Sequence, residues 1–181
     1  MKIDYTIDEN DYLAYQLFLA SKSERVRKKR QQTKIIMPIL FAVSCFSFLF
    51  QGQAWLAILF FGIGILWFFI YPHWERGHYI KFYKAFIKEN YKAKLGSIVT
   101  IEFSDDHILV KDYQSETKVL TSEVEDIFEI PSTIFVRLKG GQSIILPKDK
   151  IADLDNLKAR LKELANHLKI KYDTDEKWEW K

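Results

Sequence analysis

An α+β domain interrupted by a transmembrane helix hairpin is what this chain of 181 residues predicts. Three observations carry that expectation. Ile35 to Tyr71 holds no charged residue, and Gln51-Gly52-Gln53 splits it into two apolar runs. Beyond Ser97, short alternating apolar runs are separated by turn residues, as in strands. Near the C-terminus, Leu154, Leu157, Leu161, Leu164 and Leu168 form one apolar stripe, suited to a helix closing over a sheet.

Residues 2–7 alternate, with Ile3, Tyr5 and Ile7 on one face and Lys2, Asp4 and Thr6 on the other, which predicts a strand. Thr6-x-x-Glu9 has the form of a capping box, and Asp8, Glu9 and Asp11 suit a helix N-terminus. A helix is therefore expected through Tyr12, Leu13, Tyr15, Leu17, Phe18 and Leu19. A single helix from Ile35 to Tyr71 would be roughly 55 Å long, against ~30 Å for a bilayer's hydrocarbon core. Two antiparallel membrane helices are expected instead, Ile35–Phe50 at ~24 Å and Ala54–Tyr71 at ~27 Å. Pro38 falls in the first turn of the first helix, where its missing N–H costs least; a helix running on from the preceding segment would be kinked there. Ala42, Ser44, Cys45, Ser47, Gly62 and Gly64 are small enough for close helix contact. Trp55 marks the outer membrane interface, and Trp67, Tyr71 and Trp74 the inner one.

Tyr79 to Leu95 predicts a basic juxtamembrane helix stopped by Gly96. Lys81, Lys84, Lys88 and Lys92 are spaced three and four apart and form one stripe on it. Strands are expected over Ile98–Phe103, Ile108–Lys111, Thr117–Leu120, Ile127–Ile130, Ile134–Leu138 and Ser143–Leu146. Turn signals lie at Asp105-Asp106, Tyr113–Glu116, Pro131-Ser132 and Gly140-Gly141. A helix follows from about Asp153 to Lys169. Tyr172 to Lys181 is a charged tail for which terminal disorder is expected, with Trp178 and Trp180 as the competing anchor for a partner. The chain thus divides into segments 1–34, 35–74, 75–96, 97–171 and 172–181.

A lone strand at residues 2–7 is not stable by itself. The only sheet available to it is C-terminal, so the hairpin becomes an insertion between the first and second strands of one domain. Charge agrees. Residues 21–34 carry seven Lys/Arg against Glu24, and residues 72–95 carry six against Glu75 and Glu89. Residues 96–181 carry 13 basic and 17 acidic residues, so the distal domain is not a basic nucleic-acid surface. Basic flanks and an uncharged turn predict a multi-pass cell-membrane protein of two helices with both termini cytoplasmic. No apolar h-region of a signal peptide is found in the first 30 residues. The single cysteine, Cys45, excludes an intrachain disulfide.

Seven strands and one closing C-terminal helix match the element count of a pleckstrin-homology-like split barrel. The layout also resembles the bacterial YcxB-like family. The resemblance rests on Asp4–Tyr12, two adjacent membrane helices, Ile101-Glu-Phe-Ser-Asp-Asp-His-Ile108, Ser122-Glu-Val-Glu-Asp-Ile127 and Ile144-Ile-Leu-Pro-Lys148. The chain departs from the expected pattern at Leu120-Thr121-Ser122, where an aromatic residue is anticipated. The resemblance implies a membrane-anchored, pleckstrin-homology-like domain with no established reaction.

Catalytic signatures are missing from the sequence. His73, His78, His107 and His167 are scattered, with no metal-ligand spacing, and neither a nucleophile motif nor a P-loop can be placed. Glu123, Glu125, Asp126 and Glu129 read as a solvated edge, and Lys139, Lys148 and Lys150 as ordinary surface charges. The apolar helices lack the ionisable residues that mark ion paths. The expected function is therefore non-enzymatic: a membrane-anchored protein presenting an interaction domain at the inner leaflet, without cofactor or metal. The alternative is an anionic-lipid-binding or envelope-stress component that senses the membrane through Lys81, Lys84, Lys88 and Lys92. Expected partners are membrane lipids and an unidentified protein, not nucleic acid; the sequence leaves a homo-oligomer open.

Overall fold

The structure, a computed structural model, describes residues 1–180. In chain order its elements are β1 (Lys2–Thr6), α1 (Glu9–Lys22), α2 (Glu24–Phe50), α3 (Ala54–Asn90), β2 (Ile98–Phe103), β3 (His107–Lys111), β4 (Glu116–Leu120), β5 (Val124–Glu129), β6 (Thr133–Leu138), β7 (Ser143–Pro147), α4 (Leu154–Leu168) and β8 (Lys171–Thr174). Single 3-10 turns occupy Lys92–Lys94, Thr121–Glu123 and Lys148–Lys150. The architecture is α+β. The chain divides into two units, Met1–Gln16 with Lys84–Glu179, and Leu17–Tyr83 with Trp180.

In the first unit, β1 pairs antiparallel with β2, Ile3 opposite Ile101 and Tyr5 opposite Val99. The N-terminal strand is thus completed by one that follows the whole helical insertion. Four strands form one sheet in the order β1-β2-β3-β4, and four form a second in the order β7-β6-β5-β8. Where a split barrel of about seven strands is expected, eight strands are found, in two sheets that do not close into a barrel. The cause lies at β5: its second edge is taken by β8, which runs parallel to it with Ile127 opposite Tyr172. No edge of β5 remains for β4. Side chains of Ile101, Ile108, Ile127, Ile134, Val136 and Leu146 are buried in the core. Helix α4 lies against β5 and β8 and buries Leu157, Leu161 and Ala165, while Leu154, Leu164 and Leu168 stay half-buried. Buried Tyr5 donates its hydroxyl to the Ile145 carbonyl of β7 at 2.7 Å, the contact that replaces strand pairing there.

Capping of α1 differs from the expected Thr6/Glu9 box by two positions. Asp8 Oδ1 accepts from the Asn10 and Asp11 backbone N–H groups, and Asp11 Oδ2 accepts from the Asp8 N–H at 2.8 Å. The reciprocal box is therefore Asp8/Asp11. At the other end of the domain, α4 stops in a Schellman motif: Ile170 N–H reaches the Ala165 carbonyl and Lys169 N–H the Asn166 carbonyl. Lys169 sits at φ 55°, left-handed backbone that glycine adopts at no steric cost.

In the second unit, α2 and α3 are joined at Gln51–Gln53. Gln53 N–H bonds to the Phe48 carbonyl and Gly52 N–H to the Leu49 carbonyl, with Gly52 at φ 72°. This is again a Schellman stop, and here glycine meets the left-handed backbone at no steric cost. Between the helices, Phe60 lies 5.1 Å from Phe48 and 6.3 Å from Phe41, ring centre to ring centre. A Cβ on Gly64 would meet Phe41 Cβ at 3.4 Å, whereas one on Gly62 would meet nothing within 4 Å. Of the two glycines, Gly64 is the close contact.

Both helices are long and apolar enough to cross a membrane. Helix α2 starts at Glu24, capped by the Ser23 side chain, well before Ile35. Pro38 therefore stands in a helix interior, where it can donate no hydrogen bond to the Lys34 carbonyl. Helix α3 likewise runs through Pro72 to Asn90, so the expected juxtamembrane helix is its final third and ends before Lys92.

Candidate functional site

Arg30 and Glu75 stand 22 and 23 residues on either side of Gly52, so antiparallel helices bring them level. Glu75 is buried at 6% exposure, and Arg30 Nε meets its Oε2 at 3.0 Å. Tyr71, one helical turn before Glu75, donates its hydroxyl to Oε1 at 2.8 Å. A carboxylate removed from water survives only with such partners. Trp180, 5% exposed, covers the guanidinium: Arg30 Cζ is 4.7 Å from its ring centre and 5.8 Å from that of Tyr79. Tyr79 and Trp180 meet edge to face at 5.5 Å. The Trp180 indole Nε1 is buried without a hydrogen bond, so stacking and the cation hold the ring. The disorder expected of the tail does not describe Trp180. This cluster locks the charged ends of two apolar helices together. Its carboxylate is engaged by a guanidinium and a phenol.

The aromatic residues expected at membrane interfaces are placed unequally. Trp55 and Trp74 are exposed. Trp67 is half-buried and stacks on Tyr71 at 5.2 Å, and Tyr71 is buried within the Glu75 cluster. Trp74 stacks on His78 at 5.3 Å. The lysine stripe is likewise divided. Lys81, Lys84 and Lys88 ride on α3, while Lys92 lies in the following 3-10 turn. Lys88 Nζ is 3.8 Å from Glu9 of α1.

Several charged groups of the sheet unit fasten its elements to one another. Glu129, read from sequence as part of a solvated edge, is 5% exposed. It accepts from Lys148 and Lys158, each at 2.6 Å, and from the Tyr172 hydroxyl at 2.7 Å. Burial alone would raise its pKa, but the bonds from Lys148, Lys158 and Tyr172 outweigh that and hold it at about 2. Burial and the same carboxylate push the Tyr172 phenol up. Asp126 accepts from Arg137 Nε at 2.9 Å and from a second guanidinium nitrogen. Lys150 bonds both capping carboxylates, to Asp8 Oδ2 at 2.7 Å and to Asp11. Burial pushes Asp11 up; at Asp8 the burial penalty is outweighed by Lys150 and the Asp11 and Asn10 N–H groups, which hold it down. Lys148 and Lys150, expected as ordinary surface charges, are therefore committed to carboxylates. Lys94 fastens the β3–β4 turn through Asp112 at 2.9 Å. That bond, assisted by the Gln114 and Ser115 N–H groups against burial, lowers the Asp112 carboxyl to about 2.

His107 is paired with its neighbour Asp106 at the β2–β3 turn, and Asp105 of the same turn with Arg160 of α4. Among the described residues no group of three or more His, Cys, Asp or Glu is arranged to hold a metal ion. Sequence reasoning missed Arg30, Glu75 and Trp180 as a unit. Their signal was the near-equal spacing of the first two from Gly52. Comparison with family models, curated proteins and solved structures finds no match for this chain.

Proposed function

We propose that the chain is a non-enzymatic membrane anchor that presents a pleckstrin-homology-like interaction domain at the inner leaflet, in a manner similar to the YcxB-like family. One observation carries this reading: α2 buries none of its 27 residues, although from Ile35 onward it carries no charge and is predominantly apolar. Phe46 and Phe50 of α2, and Trp55, Ile58, Phe61 and Phe69 of α3, are all more than half exposed. Each large apolar side chain left in water forgoes about 1.5–3 kcal/mol of burial, so these six together forgo about 9–18 kcal/mol, as much as the 5–15 kcal/mol by which a typical domain is stable. Lipid removes that cost.

The pairing of β1 with β2 supports common placement of both hairpin flanks, since the strands on either side of the insertion share a sheet. The basic flanks favour the cytoplasm as that side. The antiparallel runs β1–β4 and β5–β7, followed by α4, support the pleckstrin-homology-like description; β8 is an addition to it. The outermost strand β4 bears exposed Glu116, Thr117, Lys118 and Leu120, a surface suited to strand addition by an extended peptide.

The test is fractionation of cells expressing the full chain, with tags at both ends. Retention in the pellet through alkaline carbonate, release by detergent, and protection of both tags from protease in spheroplasts is the expected result. A compact monomer in the detergent-free supernatant overturns the proposal.

A further inference from the structure

The basic half of α2 offers a stripe of cations that no ion pair consumes. Arg25, Lys28 and Lys29 are exposed, and none has a carboxylate partner among the described residues. Their spacing of three and four places them on one face, about 150° around the helix from Arg30, which turns toward Glu75. Continued at the same spacing, that face becomes Ile36, Ile39 and Val43, each more than half exposed. One unbroken helix thus carries a cationic strip directly into its outward apolar strip.

Distance separates this strip from the lysines of α3. Lys29 and Lys28 lie six and seven residues before Ile35, ~9–11 Å along the axis. Lys84 and Lys88 lie 13 and 17 residues after Tyr71, ~20–26 Å along the axis. Headgroups occupy ~5–8 Å on each side of the hydrocarbon core, and salt screens charge over ~8–10 Å. Lys28 and Lys29, with their long side chains, come closer to both lengths than Lys84 and Lys88 do; Arg25, ten residues before Ile35, extends the strip to ~15 Å.

We propose that Arg25, Lys28 and Lys29 bind the phosphates of anionic phospholipids in the leaflet that α2 enters. The inference rests on the membrane-anchor reading and specifies the lipid class that its anchor selects. A free anion is not the occupant, because the strip is continuous with an apolar face that only a lipid can cover.

The experiment reconstitutes the full chain in nanodiscs of phosphatidylcholine mixed with phosphatidylglycerol. The lipids retained on the protein are then counted by native mass spectrometry. Retained lipid should be enriched in phosphatidylglycerol. The triple variant Arg25→Gln/Lys28→Gln/Lys29→Gln should lose that preference, by about fivefold per cation removed. Lys28→Arg/Lys29→Arg should keep it, and so should Lys84→Gln/Lys88→Gln. Undiminished enrichment in the triple variant, loss in the arginine variant, or loss confined to the α3 variant overturns the inference. A chain that enters the disc but holds unbiased lipid sinks this inference alone. A chain that stays in solution without lipid or detergent sinks the anchor reading, and this inference with it.

Discussion

Glu129 illustrates how a carboxylate that looks solvated in sequence becomes a fastener. Strict alternation along Val124–Glu129 would put Val124 and Glu129 on opposite faces. A bulge between Val124 and Asp126 resets the phase, and Val124, Ile127 and Glu129 all end buried. No sequence pattern announces that extra residue, and the partners Lys148, Lys158 and Tyr172 arrive from three later elements. Folding holds Glu129 below its ordinary value of 4.5, so its contribution is complete above that pH and is lost as pH falls toward about 2. The shift corresponds to roughly 3 kcal/mol. Glu129→Gln should cost about 2–3 kcal/mol in urea unfolding at neutral pH by stranding two lysines, and should flatten the acid limb below pH 4.5. An unchanged acid limb would refute the assignment. Lys169 tests backbone geometry in the opposite direction: at φ 55°, Lys169→Gly should raise stability by about 1 kcal/mol, read as a shifted urea midpoint at constant slope.

Strands and helices were legible wherever turn chemistry bounded them. Gly140-Gly141 marks the β6–β7 hairpin, where Gly141 takes φ 82° and its N–H bonds to the Leu138 carbonyl. Strand β8 escaped because Lys171-Tyr-Asp-Thr174 is short and polar, and it joins β5 in parallel after a helix, a pairing with no local signature. Both long helices overran their expected ends, because charged residues continue a helix as readily as apolar ones and neither Pro38 nor Pro72 stops it. Within the hairpin, composition named the small residues but not which of them face the partner. Gly64→Leu should drive α2 from α3 and lower the thermal midpoint in detergent by several degrees, since Phe41 stands at contact distance. Gly62→Leu, with open space around it, should leave that midpoint within about 1 °C. Equal effects of the two would mean that the helices meet through another face.

Joining β1 to a sheet that begins after the hairpin follows from the instability of a solitary strand, so the alternation of residues 2–7 was enough to make it legible. The Arg30–Glu75–Trp180 cluster was not, because it depends on where the last residues of the chain return. Removing residues 1–7 would take Tyr5 from the Ile145 carbonyl and uncover Val99 and Ile101. The truncated chain should lose protease resistance across 84–179 while keeping its helical circular dichroism; a resistant sheet unit would show that β1 is dispensable. The same strand also sets a timetable. A ribosome adding about 5–20 residues per second emits Tyr5 roughly 5–20 s before its neighbour Val99 exists. By the end of that wait both greasy helices have been synthesised while β1 still lacks its partner strand. On the anchor reading proposed above, insertion would precede sheet closure, and a nascent chain that failed to enter the bilayer would carry an unzipped edge.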